Sequence, residues 1–156
     1  MSTVVAATVI ADTAGATTIN VGGGFTFAAD SPLACPLAVV CATGTFTGNI
    51  QGPFTNTITS LVPAPVVGVG FFSGNIVVHT SRGDLRCGLA GALDTLSSDG
   101  EFGEICVITG GTHDYYKASG HLRLTGTSPQ TQTPVIGTTG SGEYQGKVVA
   151  PFAPSD

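Results

Sequence analysis

Segments in which apolar and polar side chains alternate, separated by Gly, Pro, Asn or Asp, recur from end to end of the chain. This is the property that most limits the fold. A period of two sends alternate side chains to opposite faces of a strand, and the breakers mark the turns between strands. The pattern predicts strands near Thr3–Ala11, Thr17–Ala28, Val39–Ile50, Phe54–Ser60, Phe71–Thr80 and Leu85–Leu93. Three more are expected near Glu101–Thr109, Ala118–Gly126 and Glu143–Val149. Abundant Thr, Val, Ile and Phe suit a pleated surface, and 23 glycines supply bends and bulges. Eight or nine strands at this spacing favour an antiparallel meander closed into a barrel, which removes exposed edges; a sandwich is the alternative. The whole chain, 1–156, reads as one domain.

Charge is scarce, at 10% of residues, and the net charge is −5. Arg82, Arg86, Lys117, Arg123 and Lys147 are dispersed, so no basic stripe exists to displace phosphate counterions. Nucleic acid is not an expected partner, nor is an anionic membrane surface. The longest apolar run, Leu61 to Phe72, is too short to cross a bilayer as a helix and contains Pro63 and Pro65. Thr127 to Pro134 reads as a polar loop, and Pro151–Asp156 as a frayed tail.

The four cysteines fall into a close pair, Cys35 and Cys41, and a wider pair, Cys87 and Cys106. An even count with few lysines suits disulfides in a secreted or periplasmic protein, near-neighbour pairing being one of three connectivities. Buried thiols in a cytoplasmic barrel are the alternative. No Cys-x-x-Cys occurs, which argues against a zinc knuckle or a thioredoxin-like site. Met1–Ala7 lacks a basic n-region and reads as strand, so an exported form would be a mature one with a replaced start.

An element of aromatic, any residue, glycine, polar, β-branched recurs at Phe46–Ile50, Phe72–Ile76 and Tyr144–Val148. It fits strands that coil where an aromatic covers a glycine. Arg82-Gly83-Asp84 is most simply the turn of a hairpin. No nucleophile elbow, P-loop or dinucleotide fingerprint is present.

The segment Thr109–Leu124 gathers His113, Asp114, Lys117, His121 and Arg123 at one strand-to-strand connection. His121 and Arg123 share one strand face, Leu122 and Leu124 the other. With the polar pair inward they would form a cationic wall for a carboxylate or oxyanion; with the leucines inward they belong to the outer surface. Asp114 either caps its turn or serves as a general acid at a barrel mouth. Tyr115 and Tyr144 offer rings and hydroxyls to orient a ligand, and Phe25 and Phe27, on one strand face, suit an apolar cavity. His79, at a strand end, is a further ligand-side candidate. No ligand spacing joins His79, His121 and Asp114 in a metal site.

Gly110, Gly111, Thr112, Tyr115, Ala118 and Gly120 form a motif that resembles the allene oxide cyclase and dirigent superfamily of small, calycin-like β-barrels. The family pattern is a Gly-Gly-Ser/Thr-Gly turn, an aromatic two residues on, then Ala-x-Gly. His113 stands where the family usually has glycine, and Ser119 where dirigents carry a functional arginine. The resemblance covers about a dozen residues. It implies an eight-stranded barrel with a hydrophobic cavity, often oligomeric, that steers cyclisation or coupling of an apolar intermediate. It also implies that Asp114, placed directly before the aromatic, is an acid.

Together these readings lead to a cofactor-independent barrel that binds a hydrophobic small molecule and directs its cyclisation or isomerisation. Asp114 would donate the proton, Tyr115 and Tyr144 would orient the substrate, and His121 or Arg123 would stabilise negative charge. A carrier of lipophilic ligands, or a solid structural barrel with no cavity, are the other two readings.

Overall fold

The computed structural model describes residues 15–30, 35, 38–129 and 138–151. Eight strands follow in chain order: β1 (Thr17–Ala29), β2 (Val40–Phe46), β3 (Gly52–Pro63), β4 (Val69–Thr80), β5 (Gly83–Asp94), β6 (Glu101–Gly111), β7 (Ser119–Thr127) and β8 (Thr139–Ala150). Each pairs antiparallel with its sequence neighbours, and β8 pairs with β1 from Thr17↔Ala150 to Ala28↔Thr139. The sheet is a closed barrel. The meander follows from the spacing of the breakers, since short connections allow only antiparallel neighbours.

Eight of the nine predicted strands are present at nearly the expected positions; Thr3–Ala11 lies outside the described residues. β2, expected as Val39–Ile50, ends at Phe46. Gly48 takes φ +99°, and Asn49 accepts from the Gly22 amide at 3.0 Å through its side chain, so the chain turns there toward β3. The three aromatic–glycine elements are therefore not equivalent: one is this turn, and the other two lie within β4 and β8. The apolar run Leu61–Phe72 is the β3–β4 hairpin. Arg82-Gly83-Asp84 is the β4–β5 turn, with Gly83 at φ +117°.

The two ends of the barrel differ. One carries the tight β2–β3 and β4–β5 turns and the β6–β7 connection, whose single 3-10 turn spans His113–Tyr115. This end is packed shut by Ile50, Val78, Leu85, Tyr115, Ala118, Leu122 and Val148, all buried. Tyr144 joins the plug: its hydroxyl accepts from the Ile50 amide at 2.8 Å and has the Thr47 and Ile50 carbonyls at 3.0 Å. The other end carries the β1–β2, β3–β4, β5–β6 and β7–β8 connections and stays open.

Aromatic rings reach across to glycines of other strands instead of filling the axis. The Phe72 ring covers Gly91, Phe102 covers Gly126, Phe25 covers Gly142 and Phe54 covers Gly44, each with a ring carbon 2.6–2.9 Å from where a Cβ would stand. Rings laid against the wall in this way leave the axis empty near the open end.

Two disulfides are formed. Cys35–Cys41 ties the β1–β2 connection to β2, and Cys87–Cys106 joins β5 to β6 with both residues buried. No helix among the described residues is long and apolar enough to cross a membrane.

Candidate functional site

The open half of the barrel holds a cavity of about 840 Å³. Its depth is lined by inward residues of several strands, among them Phe25, Phe46, Phe54, Ile76 and Leu124; Leu61, Leu96, Ser128 and Thr138 surround the opening. Ligand cavities run to roughly 300–1,000 Å³ and are mostly apolar with a few placed polar groups. This one follows that pattern closely. Among its strand residues only two side chains are polar, Asn56 on β3 and Glu104 on β6. The remaining polar lining, Thr95, Ser97, Ser98, Ser128 and Thr138, comes from the connections at the opening.

Glu104 is 7% exposed, the one buried charged or polar residue of the described chain. Gly91 and Leu124 are its cross-strand partners, so neither neighbour offers a polar side chain. Burial alone pushes its carboxyl up from 4.5 to about 7, with no cation or hydrogen bond among the described residues to hold the charged form. At neutral pH such a group exists in both protonation states, the condition for taking up and returning a proton. Asn56 stands between Ala42 and Ile76, and its Oδ1 is closed off from solvent with no donor. An amide oxygen left in that state costs about 1–3 kcal/mol.

The structure separates the residues singled out in the sequence. Phe25 and Phe27 line the cavity, stacked at 6.3 Å between ring centroids. Asp114 does not: it lies at the closed end in an ion pair with Arg82 (Nε–Oδ2 2.7 Å). The expectation of an acid at the barrel mouth is thus corrected, because the β6–β7 connection caps the opposite end. His121 and Arg123 point outward, since Leu122 and Leu124 of the same strand are buried inside. They form no cationic wall in the cavity. Tyr115 is buried in the plug and Tyr144 spends its hydroxyl on backbone groups, so neither reaches the cavity lining. Burial also raises the Tyr144 phenol above its ordinary value. His79 faces solvent, its Nδ1 2.8 Å from Asp84 Oδ1. No group of three or more His, Cys, Asp or Glu among the described residues is placed to hold a metal.

Glu104 and Asn56 are the residues that sequence reasoning missed. A signal for both was present. Glu104 has the parity of Phe102, Cys106 and Ile108, and Asn56 that of Phe54 and Ile58. Each is a polar residue on an otherwise apolar strand face.

Compared with known proteins, the chain matches no family model, no curated protein and no solved structure.

Proposed function

We propose that the barrel takes a largely apolar small molecule into its open half, and that Glu104 exchanges a proton with it to direct a cyclisation or isomerisation without a cofactor. The observation that carries this reading is a buried carboxyl on the wall of an apolar cavity, without a partner among the described residues. A carboxyl so placed is costly for folding, and its raised pKa suits proton transfer at neutral pH. The cavity supplies the rest: it orients an apolar substrate and keeps water from reactive intermediates. The superfamily resemblance points toward the same class of chemistry, with Glu104 in place of Asp114 as the acid. Two disulfides fit an oxidising, extracellular-type compartment, and we infer that the protein is exported.

The test combines binding with turnover. Nile red fluorescence reports occupation of the cavity, and an apolar β,γ-unsaturated ketone reports proton transfer. Its conjugation removes a proton from the α-carbon and returns one to the γ-carbon, so Glu104 can accept and then donate with no other reagent. The expected result is that both proteins bind Nile red while Glu104→Gln loses turnover by about a hundredfold or more. Binding with no turnover in either protein would favour the carrier. Absence of Nile red binding would remove both cavity readings.

A further inference from the structure

Asn56 and Glu104 are separated by β4 and β5 around one side of the barrel and by β7, β8, β1 and β2 around the other. They therefore stand on well-separated parts of the wall, with hydrocarbon side chains between them. The backbone of that wall is committed to the interstrand ladders. Among the described residues of the strand wall, these two carry the only polar side chains available for a contact deep in the cavity. We infer that the ligand is an oxygenated hydrocarbon with two polar ends, a carbonyl that accepts from the Glu104 carboxyl and a hydroxyl that donates to Asn56. This rests on the proposed ligand-binding function and adds a substrate class to it.

The chemistry at each anchor is distinct. Glu104 has no partner among the described residues, and in its neutral form it offers an O–H into an apolar space. A ligand carbonyl meets that donor without needing a charge of its own. A ligand carboxylate would have to bury its charge in a lining that holds no cation, and a pure hydrocarbon would leave the Glu104 carboxyl without a partner. Asn56 lines the cavity, and its amide oxygen has no donor among the described residues. A ligand hydroxyl would donate to that oxygen with the amide turned to face it, and sites that hydrogen-bond a ligand hydroxyl reject analogues lacking the group. Asn56 would be the specificity-determining residue, and Glu104 the reactive one.

The probes are four twelve-carbon chains competing with Nile red: dodecane, 2-dodecanone, 1-dodecanol and 12-hydroxydodecan-2-one. In the unmodified protein the hydroxyketone should bind about fivefold more tightly than the ketone, the effect of one net hydrogen bond. Asn56→Leu should abolish that preference and leave the ketone's affinity within about twofold. Glu104→Leu should instead abolish the preference for ketone over dodecane. Raising the pH from 5 to 9 should weaken the ketone in the unmodified protein but not in Glu104→Leu. Equal binding of ketone and hydroxyketone by the unmodified protein would overturn the inference, with no need of a variant. So would a hydroxyl preference that survives Asn56→Leu. If Nile red binds, either result leaves the cavity reading standing; if it does not, that reading falls as well.

Discussion

Glu104 and Asp114 show how far one carboxylate can differ from another in the same chain. Asp114 is partly exposed and paired with a surface arginine, an arrangement worth at most about 1 kcal/mol. Asp114→Asn should leave Nile red binding within twofold and thermal stability nearly unchanged, measured by dye titration and a melting scan. Glu104 is different because burial, with nothing to offset it, sets its protonation. Its folded pKa of about 7 lies above the ordinary 4.5, so the folded chain holds a proton that the unfolded chain releases. The associated stability is complete below pH 4.5, declines as pH rises toward 7, and is gone above it. The loss is on the order of 3 kcal/mol. Urea midpoints at pH 5 and pH 8 check this: the unmodified protein should be weaker at pH 8, and Glu104→Gln should lose most of that difference.

At the scale of the strand, glycine divides into two kinds by the face it occupies. Gly142 on β8 points inward, where a methyl would overlap the Thr125 carbonyl oxygen and the Phe25 ring. Gly142→Ala should cost about 1–3 kcal/mol through overpacking, read as a lowered melting temperature, and should shrink the cavity by moving Phe25. Gly88 and Gly103 point outward, and a methyl at either meets nothing within 4 Å. Gly88→Ala and Gly103→Ala should be neutral or stabilising by up to about 1 kcal/mol, since alanine restricts the unfolded chain. Strand positions were readable because breakers and alternation are local properties. The inward set was not readable in the same way: on β7 leucines alternate with His121 and Arg123, either pair could face the interior, and only the closed barrel puts Leu122 and Leu124 inside. On β6 both sets contain apolar residues. Ile105 and Val107 are 51% and 54% exposed, while Glu104 lies inside. Hydrophobicity alone does not choose between the sets, and closure of the barrel is what places the Glu104 carboxyl inside.

For the molecule as a whole, closure and the two disulfides act together. Cys87–Cys106 spans 19 residues of chain, and a loop of that length stabilises by roughly 3 kcal/mol through the unfolded state. Reduction with dithiothreitol should lower the melting temperature by roughly 6–12 °C, with Cys87→Ala plus Cys106→Ala accounting for most of the shift. The sequence by itself determined the all-β class, the strand positions, the turn at Gly83, and an apolar face bearing Phe25 and Phe27. These depend on neighbours one to four residues apart, and so they are written locally. Only the tertiary structure decided which face of each strand turned inward, which end of the barrel was plugged, and which acid met the cavity. Those outcomes depend on closure between β1 and β8, residues more than a hundred positions apart. Closure sets the curvature that lays the rings on glycines, sends the Thr109–Gly120 connection to the plugged end, and leaves Glu104 facing an empty, apolar space.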